Sequence, residues 1–284
     1  MLLAAPAAGA ALLDDRGVQV SLDAPPRRIV ALSPHLVEIA YAAGAGPMLA
    51  AAVRYSDYPE AARQLPRVGD ASRIDLERMR ALAPDLVLGW KSGNPAHDLA
   101  RVERMGFPLF VSETRRLADI ARRVRSVGRL AGTEAAARES ASAFERELDG
   151  LRARYAGRRV VRVFYEIWHR PLITVNGAHL ISDEIALCGG KNVFESASAL
   201  TPSVTLEAVA AVRPEAVLGG SSAAAPGDLE RAWREAPLAA LRALPVRYVS
   251  PDLIQRQTPR IVEGARIVCE ALDVVRRSGG PRGP

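Results

Sequence analysis

The chain of 284 residues has only two cysteines and few aromatic residues, and it lacks any long apolar run. Two cysteines cannot build a zinc site by themselves, and neither Cys188 nor Cys269 lies in a C-x-x-C motif. No stretch approaches the about 20 apolar residues of a transmembrane helix, so none is predicted. The motifs of serine hydrolases, zinc proteases, P-loop enzymes and dinucleotide-binding enzymes are also missing. The sequence therefore predicts no metal site and no catalytic residue.

Acidic and basic residues are nearly balanced, with a formal net charge of +6, and almost all the basic residues are arginine. A nucleic-acid-binding protein usually concentrates its positive charge in a patch that also contains aromatic residues. Here the arginines are spread along amphipathic segments beside glutamate and aspartate, which is typical of solvated helix faces. We therefore expect no nucleic-acid partner.

The N-terminus reads MLLAAPAAGAALLDDRG and is apolar without a preceding basic region. Ala8-Gly9-Ala10 resembles the cleavage site of a signal peptide. Either the true start lies upstream, or this is a mature N-terminus that keeps part of the signal peptide. We assign residues 1–12 to a signal-peptide remnant or a disordered segment.

Buried strands alternate with amphipathic helices along the first half of the chain. RRIVAL, MLAAAV, PDLVLGW and PLFVS are compact apolar runs, and helical patterns such as HLVEIAYAAGAG and LERMRALA lie between them. This alternation is typical of βα units that form a parallel sheet. The sequence therefore predicts an N-terminal α/β lobe over residues 13–132.

A long helix is predicted over residues 133–157, from Thr133 as N-cap to Gly157 as the stop. Four large apolar side chains within it repeat at intervals of four, three and four residues, which places them on one face. The βα alternation then resumes. We predict a second α/β lobe over residues 158–276 and a disordered tail over residues 277–284.

One segment of the first lobe is repeated in the second. IDLERMRALAPDLVLGW (74–90) aligns without gaps on VTLEAVAAVRPEAVLGG (204–220), and both contain a glutamate at the same place, Glu77 and Glu207. A shorter echo pairs the Glu-Ile-Ala of 38–40 with that of 184–186. Because the echoes occur in the same order, we infer two related lobes.

In open α/β sheets, ligands bind beyond the carboxyl ends of the strands. Large or polar side chains follow several predicted strands, and two of the three tryptophans are among them. Each tryptophan could instead cap the core of its own lobe, and the histidines could be structural. The candidates are His35, Tyr55, Trp90, Trp168, Asp252 and Arg256.

Several motifs resemble those of the periplasmic cobalamin-binding proteins of ABC importers: DDRGVQVSLDAPPRRIVALSP, RYSDYPE, GWKSGN, CGGKNVF and the two repeated segments. The resemblance extends from about residue 13 to 272. It implies two α/β lobes joined by one long helix, with the ligand cleft between the lobes. It further implies a monomeric periplasmic protein without a cofactor, which captures cobalamin and delivers it to an ABC importer permease dimer.

The resemblance also implies roles for single residues. Tyr55, Trp90, Asp252 and Arg256 match ligand contacts, His35 falls at a corrin-facing position, and Trp168 could replace aromatics lost nearby. Two tryptophans of the family pattern are missing, and the departures are Ala71, Ile167, Ile173 and Thr201.

The two cysteines could pair in an exported protein or remain buried thiols. The family has a bridge at matching positions, so the resemblance implies the disulfide Cys188–Cys269. It also implies that Glu77 and Glu207 dock on arginines of the permease, one from each lobe. Alternatively, each glutamate only complements the dipole of its own helix.

Two other functions remain open from the sequence. A haem- or ferric-siderophore-binding protein would share the fold, and a haem protein would need a tyrosine or histidine as iron ligand. An α/β enzyme that uses the cleft is the other alternative, and it would turn over a substrate that a binding protein returns unchanged.

Overall fold

The computed structural model describes residues 10–220 and 227–278. The chain divides into two units, one of residues 1–114 and 118–145 and the other of residues 115–117 and 146–284. Each unit contains a four-stranded parallel sheet with helices. The predicted α/β class with two lobes is confirmed. Within the described residues, no helix combines the length and the apolar character needed to cross a membrane.

The main sheet of the first unit has the strand order β4-β3-β7-β8, and its strands are all parallel. The strands of this unit are β1 (Ala10–Leu13), β2 (Gln19–Leu22), β3 (Ile29–Ala31), β4 (Leu49–Ala52), β5 (Gly69–Asp70), β6 (Arg73–Ile74), β7 (Leu86–Trp90) and β8 (Leu109–Ser112). Its helices are α1 (Pro34–Ala42), α2 (Leu76–Ala81), α3 (Ala96–Arg104) and most of α4 (Leu117–Ala131), with short 3₁₀ turns at Gly46–Met48 and Glu60–Gln64.

Buried apolar runs form the centre of this sheet. Ile29, Val30 and Ala31 of β3 have no exposed surface, because helices cover a parallel sheet on both faces. The helix α1 that follows ends at Ala42, and Gly44 then takes a positive φ of 78°. A left-handed glycine just after the last helical residue is the usual helix stop, as the sequence indicated.

Residues Ala10 to Leu12, assigned from the sequence to a leader remnant or a disordered segment, lie in a strand. β1 pairs antiparallel with β2, and Ala10 lies opposite Leu22. The Asp15 carboxylate that follows forms an ion pair with Arg123 of α4, which ties the hairpin to the unit. Disorder is therefore wrong for Ala10 to Leu12. Residues 1–9 of the same assignment lie outside the described residues.

The long helix is α5 (Glu134–Tyr155). The boundary between the two units falls inside it, after Glu145. The carbonyl of Thr133 accepts the first helical N–H, from Ala137, as expected of an N-cap residue. The hydroxyl of Thr133, however, donates to the Ala43 carbonyl at 2.6 Å instead of capping its own helix. The predicted apolar face is buried, and it consists of Phe144, Leu148, Leu151 and Tyr155.

The second unit repeats the topology of the first. Its strands are β9 (Val161–Glu166), β10 (Gly190–Asn192), β11 (Ala216–Gly219) and β12 (Val246–Tyr248), in the parallel order β10-β9-β11-β12. In the four-stranded sheet of each unit, the strand that comes first in the chain (β3 or β9) lies between the strands that come second and third. Its helices are α6 (Leu180–Leu187), α7 (Leu206–Ala211), α8 (Asp228–Arg234), α9 (Ala239–Arg242), α10 (Pro251–Ile254) and α11 (Ile261–Arg277).

The sequence repeat extends to the backbone conformation. Its two copies form α2 with β7 in the first unit and α7 with β11 in the second. Ala83 and Arg213, the equivalent residues before the shared prolines, have φ values of 44° and 45°. A left-handed backbone is uncommon outside glycine, so its occurrence at the same place in both copies supports a common origin.

A disulfide joins Cys188, the residue after α6, to Cys269 in α11, with an S–S distance of 2.05 Å. Both cysteines are completely buried. The implied bridge is confirmed, and no free thiol remains among the two cysteines of the chain. The predicted tail began at residue 277, but α11 includes Arg277; residues 279–284 lie outside the described residues.

Candidate functional site

Trp90 and His35 come together at the carboxyl end of the sheet in the first unit. Trp90 ends β7, and His35 lies in the first turn of α1, directly after the neighbouring strand β3. The two ring centroids are 5.0 Å apart, in an edge-to-face arrangement. The Ser33 hydroxyl hydrogen-bonds the Nδ1 atom of His35, and only 7% of His35 is exposed. His35 therefore contacts the Trp90 ring and presents little surface of its own.

The loop after Trp90 fixes the position of its ring. The Asn94 side chain accepts a hydrogen bond from the Trp90 amide at 2.7 Å and donates to the carbonyls of Leu32 and Ala71 at 2.8 Å. A Cβ atom at Gly93 would lie 1.8 Å from the indole, so only glycine lets the ring pack there. The indole is thus oriented in advance, with part of its surface exposed. Both supporting residues lie in the GWKSGN motif, but sequence reasoning missed their role.

The Trp90 indole nitrogen is a buried donor with no hydrogen-bond partner in the described part of the chain. A buried donor without an acceptor costs about 1–3 kcal/mol, so such groups are uncommon in folded proteins. An acceptor from outside the chain that reached this nitrogen would remove that cost.

Tyr55 is the most exposed large aromatic side chain of the first unit, at 75%. Its backbone is left-handed, with a φ of 64°, in the loop after β4. Tyr58 in the same loop is 44% exposed. Exposed tyrosines beside a strand end are typical of ligand-binding surfaces, because the ring gives apolar contact and the hydroxyl a polar one.

In the second unit, Trp168 lies in a short hairpin that follows β9. It bridges Ile173 in antiparallel fashion, and its indole nitrogen donates to the Arg170 carbonyl at 2.9 Å. Trp168 is 40% exposed. The hairpin therefore fixes the indole nitrogen and leaves part of the residue exposed.

Beneath this hairpin lies a polar cluster that sequence reasoning missed. Glu166, the last residue of β9, is 4% exposed and accepts a hydrogen bond from the Trp233 indole at 2.6 Å. Its other oxygen lies 3.2 Å from Nδ1 of His169. The only sequence signal was a glutamate at a strand end, because its partner Trp233 is 67 residues away.

A cavity of about 720 Å³ opens beside this cluster, at the carboxyl end of the second sheet. It has both charged and aromatic walls. The lining residues are Glu166, Trp168, His169, Arg170, Leu172, Leu206, Asp228, Leu229, Arg231, Ala232, Trp233, Glu235, Ala236, Pro237 and Tyr248.

Asp252 and Arg256 form an ion pair at 2.9 Å, four residues apart, in and just after α10. The Asp252 side chain is 49% exposed, whereas that of Arg256 is 14% exposed. The carboxylate therefore orients the guanidinium, and both groups keep some exposed surface for polar contacts.

Glu77 and Glu207 occupy the second position of equivalent six-residue helices, and both are exposed. The preceding residue caps each helix: the Asp75 carboxylate accepts from the Arg78 amide, and the Thr205 hydroxyl accepts from the Ala208 amide. Hydrogen bonds from its own amide and from the Thr205 hydroxyl lower the pKa of Glu207. Glu207 thus also contributes to the end of its helix.

In the described residues, no group of three histidine, cysteine, aspartate or glutamate side chains is placed to hold a metal ion. Five of the six candidate residues form three local groups. His35 and Trp90 lie together, Trp168 lies with the Glu166 cluster, and Asp252 lies with Arg256.

The chain is similar to curated bacterial proteins over nearly its whole length. It is 35% identical over 253 residues to the vitamin B12-binding protein of Vibrio cholerae serotype O1, covering 89% of this chain and 91% of that protein. It is 37% identical over 253 residues to the vitamin B12-binding protein of Vibrio parahaemolyticus, covering 89% and 92%.

Solved structures give the same picture. The crystal structure of the periplasmic vitamin B12-binding protein BtuF of Vibrio cholerae matches with a TM-score of 0.81 and 35% identity, covering 89% of this chain and 99% of that one. The periplasmic haem-binding protein BhuT, solved with two haems, matches with a TM-score of 0.77 but 24% identity, covering 87% and 99%, and so shows the fold alone. The family model described as "Periplasmic binding protein" matches residues 29–243, and with these relatives it shows that the chain belongs to that family.

Proposed function

We propose that this protein captures cobalamin in the periplasm and delivers it to an ABC importer. The observation that carries the proposal is the Trp90 ring, held in place by Asn94, Gly93 and His35, in a chain similar throughout to vitamin B12-binding proteins. A pre-oriented aromatic face suits a large flat ligand, because the protein loses little conformational entropy on binding.

The remaining candidates supply complementary contacts in this proposal. Tyr55 and Trp168 offer exposed aromatic surface for apolar parts of the corrinoid. Asp252 and Arg256 offer an acceptor and donors for the amide groups at its edge. Ala71 and Thr201 stand where the family has tryptophan. Because those two aromatic contacts are missing, we expect Tyr55, Trp168, Asp252 and Arg256 to contribute much of the affinity.

Delivery requires that the protein dock on the importer. Glu77 and Glu207 are exposed, and equivalent helices present them. A two-fold permease dimer presents the same binding surface twice. The two glutamates can therefore form two equivalent charge-assisted pairs, each with an arginine of one permease subunit. We propose that one monomer of this protein docks in this way.

Isothermal titration of the purified protein with cyanocobalamin, haemin and a ferric hydroxamate siderophore tests the ligand. We expect saturable one-to-one binding of cyanocobalamin and much weaker binding of the other two. The haem alternative needs a tyrosine or histidine ligand to iron, which would appear as a shifted Soret band of added haemin. Tight binding of haemin or the siderophore without binding of cyanocobalamin would contradict the proposal.

The enzyme alternative is tested on the same samples. Bound cyanocobalamin is released by denaturation and compared with the starting material by chromatography and mass. A binding protein returns its ligand unchanged, whereas turnover would give a product of different mass.

A further inference from the structure

Glu77 does not lie on a flat surface, because a pocket of about 350 Å³ opens beside it in the first unit. Leu76 and Met105 give the pocket an apolar part. Three arginines, one from α2 and two from α3, give it a basic part. Its lining residues, called the Glu77 pocket below, are Leu76, Glu77, Arg80, Arg101, Arg104 and Met105.

The three arginines of the Glu77 pocket are exposed. Within the described part of the chain, none has a carboxylate at ion-pairing distance, and Glu77 makes no ion pair with them. The carboxylate of Glu103, which lies on α3 beside Arg104, pairs instead with Arg16 at 2.9 Å. Within the described residues, the three arginines and Glu77 therefore have no ion-pair partner and remain available to a binding partner.

The equivalent surface of the second unit differs in charge. The segment D-L-x-R-x-x-R of α3 (98–104) recurs in α8 (228–234), so Arg231 and Arg234 correspond to Arg101 and Arg104. Arg231 forms an ion pair with Asp228. Ala210 stands where the first unit has Arg80, and Glu235 stands where it has Met105. Glu207 is kept, but the unpaired basic group around it is not.

We propose that the importer places an acidic side chain in the Glu77 pocket, in addition to the cation that meets Glu77. This inference rests on the proposed function and concerns the same docking surface. The planar arginine group binds carboxylates through two parallel hydrogen bonds, and three arginines can hold one carboxylate in a defined position.

The mixed charge of the pocket favours a protein partner over an anionic membrane. The three arginines would attract lipid phosphates, but Glu77 would face charge of its own sign there and gain no partner. A folded protein can instead place a cation against Glu77 and an anion against the arginines, both at fixed positions. The first unit then contributes a second charged contact that the second unit lacks.

The test compares two variants of the full chain in binding to the host cell's importer complex, held in nanodiscs of phosphatidylcholine. R80A/R101A/R104A removes the basic group, and R234A removes the second-unit arginine that corresponds to Arg104 and lies outside the cavity of about 720 Å³. At low salt we expect the first variant to raise the Kd roughly tenfold, as several partly exposed ion pairs would. The second should change the Kd by about twofold or less. Added salt should reduce the difference, because salt screens exposed charges.

Cyanocobalamin titration and circular dichroism should give wild-type results for both variants, which separates docking from folding and ligand capture. If the wild type binds the importer and R80A/R101A/R104A binds equally well, this inference fails and the proposed function stands. If the wild type does not bind the importer at all, the proposed function fails as well. Arginine-dependent binding to vesicles with one quarter phosphatidylglycerol, without a change in importer binding, would assign the pocket to lipid and overturn the proposal.

Discussion

Glu184 of α6 should make the second unit less stable as the pH rises. Its side chain has no exposed surface, and neither carboxylate oxygen has a hydrogen-bond partner in the described residues. Gly264 of α11 packs close to it, since a Cβ atom there would lie 3.1 Å from one oxygen. Burial therefore raises the pKa of Glu184 well above its ordinary value of 4.5. The proton that the folded protein retains is the origin of the effect.

The sign follows from which state binds the proton. In the unfolded chain Glu184 loses its proton near pH 4.5, whereas the folded protein keeps it to higher pH. The contribution to stability is thus complete below pH 4.5 and declines as the pH rises toward the folded pKa. The free energy of unfolding falls by about 1.4 kcal/mol per pH unit in that interval.

Glu184→Gln keeps the shape of the side chain and removes the titration. The amide brings donors of its own, which cost about 1–3 kcal/mol at every pH if they stay unpaired. The informative quantity is therefore the change with pH of the difference between variant and wild type. That difference should move in favour of the variant as the pH rises above 4.5, by up to about 1.4 kcal/mol per pH unit.

Urea unfolding with the disulfide intact, followed by circular dichroism at several pH values, measures this difference. Glu263→Gln on α11 is the matched control, because Glu263 is exposed. The control should show no such trend. A difference between Glu184→Gln and wild type that stays constant from pH 5 to 7 would refute the reasoning.

Three further predictions concern binding, docking and the disulfide. Trp90→Ala should weaken cyanocobalamin binding by roughly 1–3 kcal/mol in calorimetry, the range for loss of a large aromatic contact, and unchanged affinity would show that the site is misplaced. The double variant Glu77→Ala/Glu207→Ala should keep ligand affinity and melting temperature but slow vesicle transport more than either single variant; transport at the wild-type rate would contradict docking. Replacing Cys188 and Cys269 with serine should lower the free energy of unfolding by about 4 kcal/mol in urea titrations. The reason is that the bridge closes a loop with a sequence separation of 81 residues. An unchanged urea midpoint would contradict this prediction.

Local patterns in the sequence predicted most of the fold. The apolar run Ile29–Ala31 and the capped segment Leu76–Ala81 each contain the information for their own element. The hairpin of β1 and β2 was missed because its first strand reads as part of a leader, and only pairing with Gln19–Leu22 makes it a strand. The helix Leu117–Ala131 was also passed over, although its apolar spacing would have revealed it.

The sequence predicted that Trp90 and His35 follow strands of the sheet, but it did not predict the residues that hold the Trp90 ring. Parallel strands place their following residues at one edge of the sheet, so Trp90 and His35 could be expected together. Two features depend on packing between distant segments and could not be predicted. One is the close packing of the Trp90 ring against Gly93, and the other is the hydrogen bond that the Trp233 indole donates to Glu166.

The repeat shows which features both units have kept and which have diverged. Both keep an exposed glutamate at the second position of the helix and a left-handed residue before the proline, so the helix and its carboxylate are presented in the same local way. The side chains around the carboxylate differ, with Arg80 in one unit and Ala210 in the other. A partner with two identical halves would meet the same carboxylate twice but the basic pocket once. The affinity of that partner should then depend more strongly on the first unit than on the second. Because exposed charges cause this difference, it should decrease as salt is added.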